Sequence, residues 1–476
     1  MATDMVAPIG EGPRKVIEEH SYEFVPLNER FGNPRSLFFL WFGASAHILT
    51  AVTGALAIVV GLNFWWAIVA IVAGNLLGAI FMAFHSAQGP RLGLPQMIQS
   101  RAQFGYHGSL LTLALVWGMY VSFAAFDVAL SGQGFQTIIG GNINLWLPLM
   151  GLALLALAIF GYYWIHVFMK YQTWVYTAIF VILTIVVLVH GIPLKLLNAG
   201  GFAAGPFLLT VSAVAVYQIS YAPYVSDYSR YLPPDAAPKT FWNTYWGTCS
   251  ICIWLMILGA AIATLGPTIQ TLAEVKILGG SVFGTILVLV LAFGILPPSA
   301  LNIYGGIMTT LTIGNNIKEF RSTPALRIIC GVGVTIITVL IATVGAGNFF
   351  NTFENYLTLL LYFLVPWTAI NLTDFYLVRR GVYHTEDFFD RHGPFGSFAW
   401  RGLFVYVLTF AIEIPFMNTS IFQGPLSKAM GNADISWIVG LVVAVPLYYF
   451  LAKSSMKAAP LAPVSSSLQP AAPQAD

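Results

Sequence analysis

Long apolar blocks separated by short polar connections set the pattern of this chain. A helix that crosses a membrane needs about 20 apolar residues. Roughly twelve blocks reach that length, near 37–60, 64–84, 109–134, 145–165, 172–191, 206–226, 245–267, 282–312, 327–347, 355–377, 402–418 and 435–452. The pattern predicts an all-α integral membrane protein with about 12 transmembrane helices. Three blocks carry residues that interrupt a helix: Gly43-Ala-Ser-Ala-His47 in the first, Gln218-Ile-Ser-Tyr-Ala-Pro223 in the sixth, and Gly294-Ile-Leu-Pro297-Pro298 in the eighth. Proline removes a helical hydrogen bond, and the freed backbone must line a cavity or lie against protein. Breaks in the first and sixth spans stand five spans apart, the spacing of two inverted five-helix repeats meeting at a central site. Ordinary packing kinks are the other reading of any single break.

Composition narrows the class. Of 476 residues, 58% are hydrophobic and 8% charged, against about 25% charged in a soluble domain. The net charge of +2 decides nothing, but charge placement does. With a cytoplasmic N-terminus, all of the 21 Lys and Arg except Lys195, Lys276 and Lys428 fall on the inner side. That bias supports twelve spans in the plasma (inner) membrane with both termini cytoplasmic. The first 35 residues hold Pro, Glu and Arg without an apolar block, so no cleavable signal peptide is expected. Residues 1–35 read as a cytoplasmic arm, 379–400 as a charged cytoplasmic loop, and 453–476, rich in Pro, Ala and Ser, as a disordered tail. Cys249 and Cys252 fall inside an apolar span without a second ligand pair, which favours a packing role over redox or metal chemistry.

The chemistry rests on few residues. Asp127 lies within LVWGMYVSFAAFDVALSGQGF with no Lys or Arg in the same segment. A carboxylate in hydrocarbon costs a few kcal/mol, so such residues face a protein interior or a watery cavity. His47 is the other titratable group at comparable depth, and the two together offer a route for protons. Glu413 lies nearer a membrane face and reads as structural. Phe123 and Asp127 share a helical face at i and i+4, and Gln218, Ser220, Tyr221 and Tyr224 lie beside the break in the sixth span. Ser299 and Asn302 follow the double proline. Aromatic faces that stack on a ring, with amides and carboxylates for its edge, suit a flat polar heterocycle; packing aromatics and helix-bridging Ser or Asn are the plain alternative. A phosphate-binding loop, a metal-ligand cluster and a nucleophile elbow are all missing from the sequence, which argues against an enzyme.

Three segments carry a family likeness: Gly89-Pro-Arg-Leu-Gly-Leu-Pro through Gly105-Tyr-His-Gly108, Ser226-Asp-Tyr-Ser-Arg-Tyr-Leu-Pro233, and Pro366-Trp-Thr-Ala-Ile-Asn-Leu-Thr-Asp374. From about residue 20 to 450 the chain resembles the nucleobase–cation symporter family of the first type, the purine, cytosine, uracil, allantoin and hydantoin permeases. The resemblance implies a five-plus-five inverted-repeat (LeuT-like) core over 36–378 and two peripheral helices over 401–452. It also implies a secondary active transporter importing a nucleobase by cation symport, with hydantoin, allantoin or another small amide heterocycle as the alternative cargo. Phe123 stands where members often carry Trp, Asp127 where a polar residue follows it, and Tyr221 at a second aromatic position. Asn302 matches a substrate-holding Asn, and Ser45-Ala-His47 stands where purine–cytosine permeases resemble Ser-Ala-Asn. Sodium-coupled relatives place a Ser-Thr pair about six residues before that Asn; here the place reads Leu296-Pro297. The expected substrate contacts are therefore Phe123, Asp127, Gln218, Ser220, Tyr221, Asn302 and Ser45, with Asp127 and His47 in proton coupling. The expected co-transported ion is a proton rather than sodium, with sodium coupling as the alternative. No cofactor or bound metal is expected, and the expected partners are a small nucleobase-like substrate and the lipid bilayer, not nucleic acid or an obligate protein.

Overall fold

In the computed structural model every predicted apolar block overlaps one or more helices. The structure describes residues 23–456 except 161, 267–270, 319, 321 and 322. Most of the expected N-terminal arm and nearly all of the expected disordered tail lie outside the described residues. The first span is two helices, Arg35–Ser45 and Ile48–Val59, bent by 64° at Ala46-His47. Spans two to five are Phe64–Ser86, Leu110–Ile139, Ile143–Phe160 and Tyr162–His190. The sixth is again split, Ala204–Ile219 and Ala222–Ser229, and the seventh is Ala237–Ala263. The eighth comprises Thr285–Gly294 and Leu296–Ile317, the ninth Pro324–Ala346 and the tenth Phe349–Leu372. Spans eleven and twelve are Trp400–Glu413 and Ser436–Met456.

Several boundaries differ from the sequence expectation. The seventh span starts at Ala237 because its polar first turns, with Lys239 and Asn243, continue the helix beyond the apolar block. The tenth starts at Phe349 for the same reason, taking in Asn351 and Glu354. The eleventh leaves α-helix at Glu413, two residues before Pro415. A separate short helix, Thr271–Gly279, precedes the eighth span and joins it through a widened turn at Gly280–Gly284.

Contacts between loops confirm the alternation. At one end, Val25 N donates to Gly93 O (3.0 Å), Tyr106 N to Gly396 O (2.9 Å), Asn316 Nδ2 to Tyr106 O (3.2 Å) and Arg230 Nη1 to Glu23 O (3.0 Å). These bonds gather the segments before spans one, three, seven, nine and eleven. At the other end, Asn63 N donates to Gly201 O (3.2 Å), Lys276 Nζ to Thr137 O (2.6 Å) and Ser420 N to Asn355 Oδ1 (2.8 Å). The first end carries the arginines among the described residues; Lys276 belongs to the second.

Spans one, two, six and seven pack chiefly on one another, and spans three, four, eight and nine form a second unit. Spans eleven and twelve pack together and against the tenth. In the first unit, the second half of span one meets span seven backbone to backbone. A Cβ on Gly259 would stand 1.8 Å from Ala51 O, and one on Gly54 would stand 1.9 Å from Met256 O. Small residues permit this approach between membrane helices. Gly259→Val is therefore expected to lower thermal stability in detergent by about 1–3 kcal/mol or more. Gly333→Val, whose Cβ meets no atom within 4 Å, is the comparison. Equal melting of the two variants contradicts the close crossing.

Candidate functional site

The site grows from the two broken helices. In the first span Ala46 and His47 leave helical geometry, His47 being fully extended (φ −145°, ψ 166°). A helix break exposes carbonyls, and here Ser45 O accepts from Thr50 Oγ1 (2.7 Å). Thr50 Oγ1 also meets Tyr217 Oη (2.8 Å), which reaches His47 Nε2 at 3.2 Å. His47 Nδ1 is buried and has no hydrogen-bond partner among the described residues. One ring nitrogen is thus anchored to the sixth span while the other is free for a ligand or a proton.

In the sixth span Pro223 cannot donate to the preceding turn, and the chain turns at Ser220-Tyr221. Ser220 Oγ donates to Tyr217 O (2.7 Å), closing one of the orphaned carbonyls. Past the break, Tyr221, Tyr224 and Tyr228 share one helix face. Tyr221 stands edge-on to Tyr217 (5.9 Å, 76°), and Phe123 of the third span stands edge-on to the same ring (6.2 Å, 86°). Tyr217 is the common wall between the two other rings. Trp41 completes the aromatic lining from the first span, edge-on to Tyr221 (5.7 Å) and Tyr228 (5.4 Å).

The opposite wall belongs to spans three and eight. Asp127, 3% exposed, faces the Ser299 hydroxyl and the Asn302 amide. Asp127 Oδ1 and Ser299 Oγ nevertheless lack a hydrogen-bond partner among the described residues. Unsatisfied buried polar atoms are uncommon and mark places where something polar belongs. The prolines that place Asn302 are themselves accommodated: Gly294 O, deprived of its donor by Pro298, accepts from Gln172 of the fifth span. Tyr176 Oη donates to Val290 O, and Ser131 Oγ donates to Ala292 O (2.9 Å).

One cavity of about 240 Å³ joins these walls. It is lined by His47, Phe123, Asp127, Ser220, Tyr221 and Asn302 and reaches Pro95, Met97 and Arg230 at the arginine-rich end. Six of the expected site residues are thereby brought together. Two are not. Gln218 is turned away from the cavity, its amide consumed on both sides: Nε2 donates to Asn75 Oδ1 (2.6 Å) and Oε1 accepts from Thr248 Oγ1 (2.6 Å). Ser45 is fully buried behind the wall and donates to Tyr221 Oη (3.4 Å). Cys249 and Cys252 are buried free thiols, and no cluster of three or more His, Cys, Asp or Glu among the described residues is placed to hold a metal.

Residues 24–440 match the family of permeases for cytosine and purines, uracil, thiamine and allantoin. The chain belongs to that family. It is 42% identical to the putative purine-cytosine permease YxlA of Bacillus subtilis, over 93% of this chain and 97% of the relative. Its fold is that of Mhp1. The inward-facing conformation of Mhp1 superposes with a TM-score of 0.75 at 21% identity, over 96% of this chain and 98% of the other. Mhp1, a nucleobase-cation-symport-1 family transporter, in a closed conformation with bromovinylhydantoin bound, gives 0.73 at 20% identity, over 95% and 99%. The permease therefore has the LeuT-like architecture that the family resemblance implied, and it is a multi-pass membrane transporter rather than an enzyme.

The structure adds lining residues that sequence reading missed. Trp41, Tyr120, Tyr228 and Asp227 all border the cavity of the permease. Asp227 Oδ1 accepts from Gln96 N (2.9 Å), which pins the loop after the second span to the end of the sixth. Tyr120 lies against Tyr224 (5.5 Å) and sits where a side chain on Gly305 would collide with it. One signal was available: Tyr221, Tyr224 and Tyr228 recur at i, i+3 and i+7, the spacing of a single helical face.

Proposed function

We propose that this permease imports a nucleobase of the cytosine or purine type together with a proton, by alternating access. The observation that carries this reading is the cavity itself. Rings from both units line it, and the Asp127 carboxyl and the Asn302 amide lie on one side. A flat heterocycle stacks on aromatic faces, while carboxyl and amide groups match its donor and acceptor edge. A volume of about 240 Å³ lies below the roughly 300–1,000 Å³ of drug-sized pockets and suits a molecule of one or two rings. The likeness to a purine-cytosine permease supports the same substrate class. Hydantoins are the second reading, favoured by the bromovinylhydantoin bound to Mhp1.

Proton coupling is supported by two buried titratable groups, His47 in the first unit and Asp127 in the second, each with an unpartnered atom. It is also supported by Leu296-Pro297, which supplies no hydroxyl where sodium-coupled relatives resemble Ser-Thr. The charge distribution supports a cytoplasmic arginine-rich end, and on that reading the cavity reaches the inner side in this conformation.

Uptake of labelled cytosine by cells lacking their own permeases tests the substrate. Cytosine and purines are expected to compete best, while strongest competition by hydantoins selects the second reading. Absence of saturable uptake for every heterocycle overturns both. In the same assay Phe123→Ala is expected to weaken apparent affinity by about 1–3 kcal/mol, the value of one base–aromatic contact, and Phe123→Trp to retain it. Unchanged affinity in a well-expressed Phe123→Ala protein removes this ring from the site.

A further inference from the structure

A second recess lies on the outer surface, away from the transport cavity. It is a groove of about 610 Å³ at the arginine-rich end, between spans two and seven and the end of span ten. Phe84, Phe241, Trp242 and Tyr245 form its apolar floor, with Phe84 and Phe241 in edge contact (4.9 Å). Tyr376, which follows span ten, closes one side by donating from its hydroxyl to Phe84 O (2.7 Å). The floor is open to the surroundings: Trp242 is 56% and Phe84 37% exposed. Exposed aromatic rings near helix ends are what the boundary between hydrocarbon and lipid headgroups selects.

Arg91 is the single charged residue lining the groove. Its guanidinium stands 6.0 Å over the Phe375 ring and makes no hydrogen bond or ion pair to any described residue. Lys239, exposed, directly follows the lining residue Pro238 and precedes Trp242 by three residues on the same helix, which adds a second cation to the segment that lines the groove. Asp235, in the adjoining turn, pairs with neither. An apolar floor beneath two uncommitted cations is complementary to one amphiphile, an acyl chain carrying an anionic headgroup.

We propose that the groove holds an anionic phospholipid, its phosphate on Arg91 and Lys239 and an acyl chain along the aromatic floor. The lipid rests where spans two and seven face the end of span ten, so it bridges helices that contact each other little directly.

Native mass spectrometry of the purified permease, titrated with phosphatidylglycerol or phosphatidylcholine, tests the assignment. Phosphatidylglycerol is expected to occupy a site on the wild type that loses roughly five-fold in affinity for each cation removed, as in Arg91→Gln and Arg91→Gln/Lys239→Gln. Arg91→Lys is expected to keep the site. Trp242→Ala is expected to weaken it with both charges intact. Arg401→Gln, an equal charge change on the eleventh span at the same end, is expected to leave it unaltered. Equal retention of phosphatidylcholine overturns the proposal, as does equal loss in Arg401→Gln. A groove filled instead by a second copy of the chain, seen as a lipid-free dimer, overturns it as well.

Discussion

Asp127→Asn is expected to abolish accumulation against a gradient while leaving substrate binding largely in place. The amide keeps the shape of the carboxyl and can still face Ser299 and Asn302, but it has no proton to gain or release. Asp127 is carried by the third span, in the unit opposite the His47-bearing break. On the proposed mechanism, a proton held there would be exposed to one side or the other as the units rock. Wild-type uptake is therefore expected to rise as external pH falls, to collapse with a protonophore, and to change little when choline replaces sodium. The variant should still bind substrate with an affinity within about ten-fold of wild type, because one hydrogen bond of the neutral kind is exchanged for another. Counterflow separates the two functions, since exchange of labelled for unlabelled substrate requires binding and translocation but no net proton movement. Strict sodium dependence together with pH-insensitive uptake rejects the proton reading and leaves the membership of the family untouched.

The sequence carried the fold through features that depend on length and polarity alone. Blocks of about 20 apolar residues have no other stable location, and the loop contacts at the two ends follow the alternation that charge placement predicted. Asp127 was conspicuous because a lone carboxylate in hydrocarbon is costly wherever it sits. Gln218 was misplaced for a matching reason. Polarity beside a break says that a side chain needs a partner, not which partner, and the ones it has, Asn75 and Thr248, come from spans two and seven. Trp41 was invisible for the opposite reason. Among 13 Trp, 21 Tyr and 35 Phe, one more ring in an apolar run carries no distinguishing mark. It lies six residues before His47, on the half of the span that is bent by 64° from the other, and packs there against Tyr221 and Tyr228 of the sixth. The Thr271–Gly279 helix falls between the predicted blocks because, at nine residues with Glu274 and Lys276, it is too short and too polar to register as a span.

Asn302→Ala is expected to reduce apparent affinity by about 10- to 100-fold and nearly to abolish uptake at limiting substrate. Its amide borders the cavity beside Asp127, one turn beyond the double proline that sets the direction of the eighth span. An amide paired with the edge of a heterocycle discriminates far more strongly than an apolar wall, because removing it leaves polar atoms of both partners unsatisfied in a closed site. Asn302→Asp is the sharper variant. It keeps an acceptor, loses both donors and places a second carboxyl beside Asp127, so bases offering a donor at that edge gain relative to those offering an acceptor. The ranking of cytosine, purines, uracil and hydantoins should therefore change rather than merely weaken. If both variants keep the wild-type ranking and affinity, Asn302 holds helices together, and the polar edge of the substrate must be read by other polar groups of the cavity, such as Asp127 and His47.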